Sequence, residues 1–369
     1  WLIYGEKTNT ATAPCIVSSL MTWERVESYD LGLDWGAFNN RLTGTVDYFK
    51  RSTKDMVGPA PELESVLGTG VPKINNSDME SYGFELELSW RDRVGDFSYG
   101  AKLVLSDAQQ KVTRYPNESY SLGTWYNGRM NNEIWGYTTI GIAKSQEEMD
   151  THLAKVKQSR IGNQWAAGDI MYADLNNDGE ISNGANTLED HGDLSIIGNS
   201  TPRYNYGITL DAAWKGLDFS VFFQGVGKRD YVVGGAYFWG ATGGMWQSAG
   251  FEEHWDFFRG EDNALGANLD AYYPRPLFTT GKNMSTQTRY LQDASYLRMK
   301  NIQLGYTLPK SFTSKAGMQS VRVYVSGDNL ATFSSMPKIF DPETIGGVWG
   351  DGKSYPLSKT ISVGLNVNF

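Results

Sequence analysis

The sequence is poor in the residues that build metal centres and catalytic dyads. It has a single cysteine, Cys15, and three histidines, His152, His191 and His254, in 369 residues. One thiol excludes an intramolecular disulfide framework and any multi-cysteine metal site, and Cys15 reads as an ordinary apolar residue. The histidines lie far apart and show no ligand spacing such as HExxH, so no catalytic role is expected of them. Positive charge is also scarce: 33 Lys and Arg stand against 42 Asp and Glu, a net charge of -9 without a basic stripe. Nucleic acid is therefore not an expected partner. Long hydrophobic runs are missing too. No stretch of about 18 apolar residues occurs, no basic segment leading into an apolar one stands near the start, and mean hydropathy is -0.43. A bundle of membrane helices is excluded. A β-barrel is not, because only alternate residues of a barrel strand need be apolar.

Aromatics, by contrast, are abundant. The 21 Tyr, 16 Phe and 12 Trp make up 13% of the chain, which suits either interface girdles or sugar-stacking loops. The chain closes on SKTISVGLNVNF, where Leu357, Lys359, Ile361, Val363, Leu365, Val367 and Phe369 share one parity. Ser358, Thr360, Ser362, Gly364, Asn366 and Asn368 share the other. Successive strand side chains point to opposite faces, so one face is apolar and the other small and polar. The same alternation recurs along the chain and predicts nine strands, at about 28–37, 41–51, 80–91, 96–108, 203–214, 217–228, 295–308, 320–331 and 358–369. A soluble sandwich fits such strands as well as a membrane barrel does. The connections discriminate between them. Residues 38–40, 92–95, 215–216 and 309–319 are short, and 52–79, 109–202, 229–294 and 332–357 are long. Strict short–long alternation is what an outer-membrane meander gives, with tight inner turns and large outer loops.

The expected fold is thus all-β, an antiparallel transmembrane β-barrel with long extracellular loops. Nine strands leave two open edges, which cost several kcal/mol per unpaired group in hydrocarbon, and single-chain bacterial barrels carry even strand numbers. The chain is accordingly expected to be the C-terminal part of a larger barrel, or one piece of a nicked protein.

Several stretches carry a specific resemblance. WERVESYDLGLDWGAFNNRLTGTVDYFKRSTKDM, NSDMESYGFELELSW, GDIMYADLNNDGEI with IIGNSTPRYNYGITL, YLRMKNIQLGYTLPKSF, VRVYVSGDNLATFS and YPLSKTISVGLNVNF together resemble the SusC-like (SusC/RagA) TonB-dependent outer-membrane transporters, in order over nearly the whole chain. The resemblance implies a 22-stranded barrel with an N-terminal plug, a SusD-like surface lipoprotein as lid, and TonB as the energy-coupling partner. It also implies a bacterial outer-membrane location with lipid around the barrel, and allows a homodimer of the transporter–lipoprotein pair. The solute would be a glycan-derived oligosaccharide or an oligopeptide. Phe369 would be the aromatic signal read by the barrel-assembly machinery. Plug and TonB-binding features are not visible in these residues.

Three groups of site residues follow. In DLNNDGEI the oxygen-bearing Asp174, Asn176 and Asp178 alternate ahead of Gly179, as in calcium loops. The twelfth position is Ala185 rather than Glu, so Glu180, Glu189, Asp190 or Asp193 would have to complete a Ca2+ (or Mg2+) site in the 174–185 loop. The other reading is an Asx-rich turn without metal, and no cofactor is otherwise required. Trp125, Trp135, Trp165, Trp239, Trp246 and Trp255 lie in the long loops, where they either contact solute or partner or pack the loops' own cores. On the polar parity Glu85, Glu87, Lys102, Asp211, Asp218, Gln303 and Arg322 are expected to face the lumen. FEEHWDFFRGED, 251–262, reads as a short amphipathic helix. GVGK at 225–228 lacks the full phosphate-loop spacing. The carboxylate pairs Glu85/Glu87 and Glu252/Glu253 do not face each other across a cleft, as glycosidase chemistry requires, and no enzymatic activity is expected. The rivals are a secreted carbohydrate-active β-protein and a siderophore or cobalamin receptor.

Overall fold

The computed structural model describes residues 2–3, 6–7, 21–60, 71–240, 250–278, 281–346 and 353–369. Nine long strands build one sheet: β1 (Arg25–Ala37), β2 (Leu42–Val57), β3 (Asn75–Val94), β4 (Phe97–Arg114), β5 (Arg203–Trp214), β6 (Leu217–Lys228), β7 (Tyr296–Thr307), β8 (Ser320–Ser334) and β9 (Thr360–Asn368). Each pairs antiparallel with its sequence neighbour, so the order across the sheet is the order along the chain.

Local chemistry sets the tight end. Lys215 and Gly216 alone join β5 to β6, both at positive φ (46° and 89°), the backbone of a type I′ turn that matches strand twist. Gly216 also has no room for a side chain, since an added Cβ would stand 2.7 Å from the Thr307 carbonyl oxygen. Phe38, Asn39 and Asn40, all at positive φ, turn β1 into β2. Residues 58–74, 115–202, 229–295 and 335–359 leave the opposite end as long connections.

Register sorts the side chains into two faces. Leu33, Val46, Leu86 and Leu105 stand opposite one another across β1–β4, and Phe219, Leu304, Val325 and Val363 across β6–β9. The reverse face carries Ser220, Gln303, Ser326 and Ser362 in register. The apolar face is uncovered: Leu33 is 64% exposed, Leu304 55% and Val363 75%. A sandwich buries such a face against a second sheet; among the described residues this face is left open.

The main cluster of buried apolar residues lies in the long connections instead. Ile142, Ile170, Tyr172 and Ile181 from residues 115–202 pack with Val233, Phe238, Phe258, Tyr273 and Tyr290 from 229–295, and with Phe340 and Ile345 from 335–359. Short ladders support this body, pairing Glu133–Tyr137 with Leu194–Asn199, Thr139–Ile142 with Ile170–Tyr172, and Asp230–Val232 with Leu291–Asp293. The longest helix among the described residues, α1 (Gln146–Lys155), is capped by the Ser145 hydroxyl, which accepts from the Glu148 N–H, and it buries Met149.

Two expectations need correction. The strands β2, β3 and β4 run about half a dozen residues further outward than the alternation indicated. A tilted strand crosses hydrocarbon in about 9–11 residues, yet β3 has 20, so ladder pairing continues where the side chains are already polar. The stretch 251–262 is not a helix beyond one 3-10 turn, Glu252–Trp255.

Candidate functional site

The polar face of the sheet brings the charged residues of its strands together in pairs. Lys102 Nζ lies 2.7 Å from Glu87 Oε1, diagonally across β3 and β4. Arg322 on β8 donates from Nε to Asp218 Oδ2 on β6 at 2.9 Å. That bond spans β7, and it passes over Gly305, where an added Cβ would stand 2.6 Å from the same Oδ2. Glycine is the residue that lets the pair form. Asp211 lies beside Gly100, and Gln303 sits in register between Ser220 and Ser326. Glu85 lies opposite Asp47 and Ser106 and, with Glu87 and Gln224, lines a hollow of about 540 Å3 on this face. All seven predicted polar-face residues therefore share one face, and four of them are mutually neutralised across the strands.

The acidic loop is organised by hydrogen bonds to its own backbone. Asp174 accepts from the N–H groups of Asn177 (2.7 Å) and Gly179 (2.9 Å), Asn176 from Asp178 N–H (3.1 Å), and Asp178 from Glu180 N–H (2.8 Å). Asp193 is wholly buried and accepts from Leu175 N–H at 2.7 Å and Ser182 N–H at 2.8 Å, stapling the two ends of the turn. Glu180 points away to Arg160, 3.5 Å from its Nε. Among the described residues no three His, Cys, Asp or Glu side chains are grouped to hold a metal ion. Asp174, Asn176 and Asp178 thus each close an Asx-type turn on the backbone.

The tryptophans divide. Trp135 donates from Nε1 to Glu133 Oε1 at 3.0 Å and packs on His191. Glu133 also accepts from Tyr126, whose hydroxyl is pushed up to about 12 by burial first and then by that hydrogen bond. Trp165 caps the Gly162 carbonyl and lies under Lys282, with Nζ 4.9 Å from the ring centroid. These two pack the loops' own interior. Trp125 packs edge-on against Tyr115 and lines a separate cavity with Met56, Lys73 and Arg129. Trp239 and Trp255 line one cavity of about 350 Å3. Trp246 lies outside the described residues.

Sequence reasoning missed the ionic centre of the loop body. The Asp169 carboxylate, fully buried, accepts from Arg275 Nε (2.7 Å) and Nη2 (2.8 Å), Lys282 Nζ (2.6 Å), Asn283 Nδ2 (2.9 Å) and Ala166 N–H (2.9 Å). Burial pushes this carboxyl up, and the four partners more than reverse it, holding it below the usual carboxylate range. Because Asp169 sits in the 115–202 connection and its cationic partners in 229–295, the bond set ties two loops into one body. A second knot ties the third: Arg298 on β7, 3% exposed, donates to Asp341 and Glu343 at 2.7 Å each.

The two-faced sheet, tight turns at one end and packed loops at the other now stand beside a direct comparison. The family profile described as TonB dependent receptor-like, beta-barrel matches residues 8–330. The chain belongs to that family. Membership sets it among receptor barrels rather than secreted β-proteins. TonB-dependent receptor P3 of Formosa agariphila is 28% identical over 95% of this chain and 34% of its own length. TonB-dependent receptor SusC of Bacteroides thetaiotaomicron is 22% identical over 99% of this chain and 34% of its length. The chain thus spans about a third of the curated relatives it matches. Among solved structures, the RagAB peptide transporter superposes with a TM-score of 0.67 at 24% identity, covering 94% of this chain and 36% of the other, and the "closed-closed" RagAB peptide importer with 0.66 at 25%. In a TonB-dependent receptor barrel of this SusC/RagA-like kind, an uncovered apolar face and a charged, paired reverse face are the two sides of the barrel wall.

Proposed function

We propose that this chain forms barrel wall and outer loops of a TonB-dependent importer in the bacterial outer membrane, taking up a large nutrient in concert with a SusD-like lipoprotein. The observation that carries this reading is the division of one nine-stranded meander into a continuous exposed apolar face and a continuous polar face. Lipid would cover the first, and the second would line the solute's path with Glu85, Glu87, Lys102, Asp211, Asp218, Gln303 and Arg322. Pairing of Glu87 with Lys102 and of Asp218 with Arg322 neutralises four of these charges and leaves Glu85 and Asp211 as the charged residues of an otherwise polar path, which suits a hydroxyl-rich solute without acidic groups, such as a glycan-derived oligosaccharide. A second reading, an oligopeptide, draws on the likeness to the RagAB peptide importer. The loop body, held together by Asp169 and Arg298, would give the lid lipoprotein a stable surface. Phe369, 82% exposed beyond β9, would serve in barrel assembly.

The test is gene deletion in the native bacterium, with growth followed on oligosaccharides, on peptides and on the corresponding monomers. Selective loss on oligomers, together with outer-membrane fractionation and recovery of a lipoprotein at similar abundance, is the expected outcome. Growth unchanged on every oligomer, or recovery of the protein from the soluble fraction, would overturn it.

A further inference from the structure

The loop body encloses a cavity whose chemistry differs from that of the barrel face. Trp239, Phe251, Trp255, Phe257, Tyr273 and Phe278 supply six aromatic rings to a space of about 350 Å3, with prolines, Leu277 and Met284 between them. Among the described lining residues the indole N–H groups of Trp239 and Trp255 and the Tyr273 hydroxyl stand with the rings, and the other three polar side chains are already engaged. Asn283 accepts from Ile170 N–H at 3.0 Å and donates to Asp169 at 2.9 Å. Arg275 clamps Asp169 with Nε and Nη2. His254 accepts at Nδ1 from Phe251 N–H and donates from Nε2 to the Phe238 carbonyl, both at 3.0 Å. The Asp169 carboxylate neutralises the one guanidinium, so the walls offer chiefly aromatic faces, methylene groups and a thioether, with the two indole N–H groups and the Tyr273 hydroxyl as their remaining polar atoms.

We propose that this cavity is a binding site for a planar aryl group. A sugar ring carries more hydroxyl groups than the two indole N–H groups and the Tyr273 hydroxyl can pair, and Asn283 and His254 are not free to replace the rest, at a cost of about 1–3 kcal/mol for each buried unsatisfied group. A phenyl, phenol or indole ring loses none, and gains edge or face contacts with the lining rings. The volume falls within the range of small-ligand pockets, roughly 300–1,000 Å3. Trp255 and Phe278 are 59% and 56% exposed, so part of the wall is open to an arriving group, while Trp239 and Tyr273 are fixed by packing on Tyr290 and Phe238. The site is thus rigid at its base and accessible at its rim. The inference concerns binding alone and does not depend on the transport reading.

The test uses the purified protein in detergent and three probes: N-acetyl-tyrosinamide, ferulic acid methyl ester and maltotetraose, with binding followed by saturation-transfer NMR. One or both aryl probes should bind saturably and compete with each other, and maltotetraose should not. Which aryl probe binds more tightly distinguishes a peptide side chain from an aryl-substituted glycan as the source of the ring. Met284→Trp, which fills the cavity, should abolish aryl binding. Trp255→Leu, an exposed position that leaves the fold intact, should weaken it about tenfold, the loss of roughly one aromatic contact. Trp125→Ala in the separate cavity should leave it unchanged. Failure of both aryl probes to bind the unsubstituted protein, or aryl binding indifferent to Trp255→Leu, would overturn the proposal. Maltotetraose binding in competition with the aryl probes would do the same. Whether the bacterium grows on oligomers is read separately, so either idea can fail alone.

Discussion

The sheet and the loop body are built from the same kinds of side chain and treat them in opposite ways. On β1, β7 and β9 Leu33, Leu304 and Val363 are more than half exposed, whereas in the loops Ile170, Tyr172 and Phe238 have no exposed surface. Charge follows the same division. On the sheet Glu87 and Lys102 pair while each stays more than 40% exposed; in the loops Asp169 is 0% exposed and Lys282 only 9%. One region is two-faced and leaves its apolar side to be covered from outside the chain. The other folds on itself as water-soluble proteins do. An apolar residue therefore reports a lipid contact or a core contact according to which region holds it, and composition alone blurs the two.

Substitutions that act in one region and not the other break this comparison most sharply. Phe238→Ala, at the centre of rings from Trp239, Tyr273, Tyr290 and Phe340, should destabilise the loop body by about 3–5 kcal/mol. Hydrogen exchange should rise throughout residues 137–345 of the loops while the β5–β6 hairpin stays protected. Asp169→Ala leaves Lys282 and Arg275 without their carboxylate, and breaking a buried pair in this way costs roughly 3–5 kcal/mol. Proteolytic cleavage should then appear in both 115–202 and 229–295, because the bond set joins them. In the sheet, Leu304→Arg should cost about 2–4 kcal/mol if the residue lies near the bilayer midplane. The neighbouring Gln303→Arg should stay within about 0.5 kcal/mol; urea unfolding in liposomes compares the two.

Acid sharpens the same contrast. Asp169 has its folded value depressed below the unfolded one, about 3.9. Its contribution is therefore complete above that value and is lost as pH falls through the depressed folded value. Loop protection should drop below about pH 4, with the strand ladder unaffected. The smallest effect is expected for Lys102→Gln, which removes an exposed ion pair worth about 0–1 kcal/mol and should leave urea midpoints nearly unchanged.

What the sequence revealed follows from periodicity. Strands β5 and β6 were legible to the residue because alternation runs the whole way from Arg203 to Trp214 and from Leu217 to Lys228, around a turn whose Lys–Gly pair announces itself. The outer ends of β3 and β4 were not, because Asp78, Glu80, Gln110 and Lys111 continue the ladder with polar side chains on both faces. The loop core was illegible for the opposite reason: Ile170, Met171 and Tyr172 are three consecutive buried residues, a pattern with no period. Asp169 stands just before them in GDIMY, and a lone acid against an apolar run was the one available hint. The alternate oxygens of DLNNDG were plain in the sequence, but only the structure shows Asp174 and Asp193 turned onto backbone N–H groups. The pairing of Asp218 with Arg322 across Gly305 depends on register among three strands, which no single segment carries.

The central claim is that the exposed face of the sheet meets lipid and the reverse face meets water. Spin labels placed one at a time at residues 302 to 306 of β7, in the protein reconstituted into liposomes, test it directly by accessibility to oxygen and to a water-soluble nickel chelate. A period of two is expected, with Ile302, Leu304 and Tyr306 favouring oxygen and Gln303 and Gly305 favouring the chelate. Uniform access to the chelate at all five positions would contradict it.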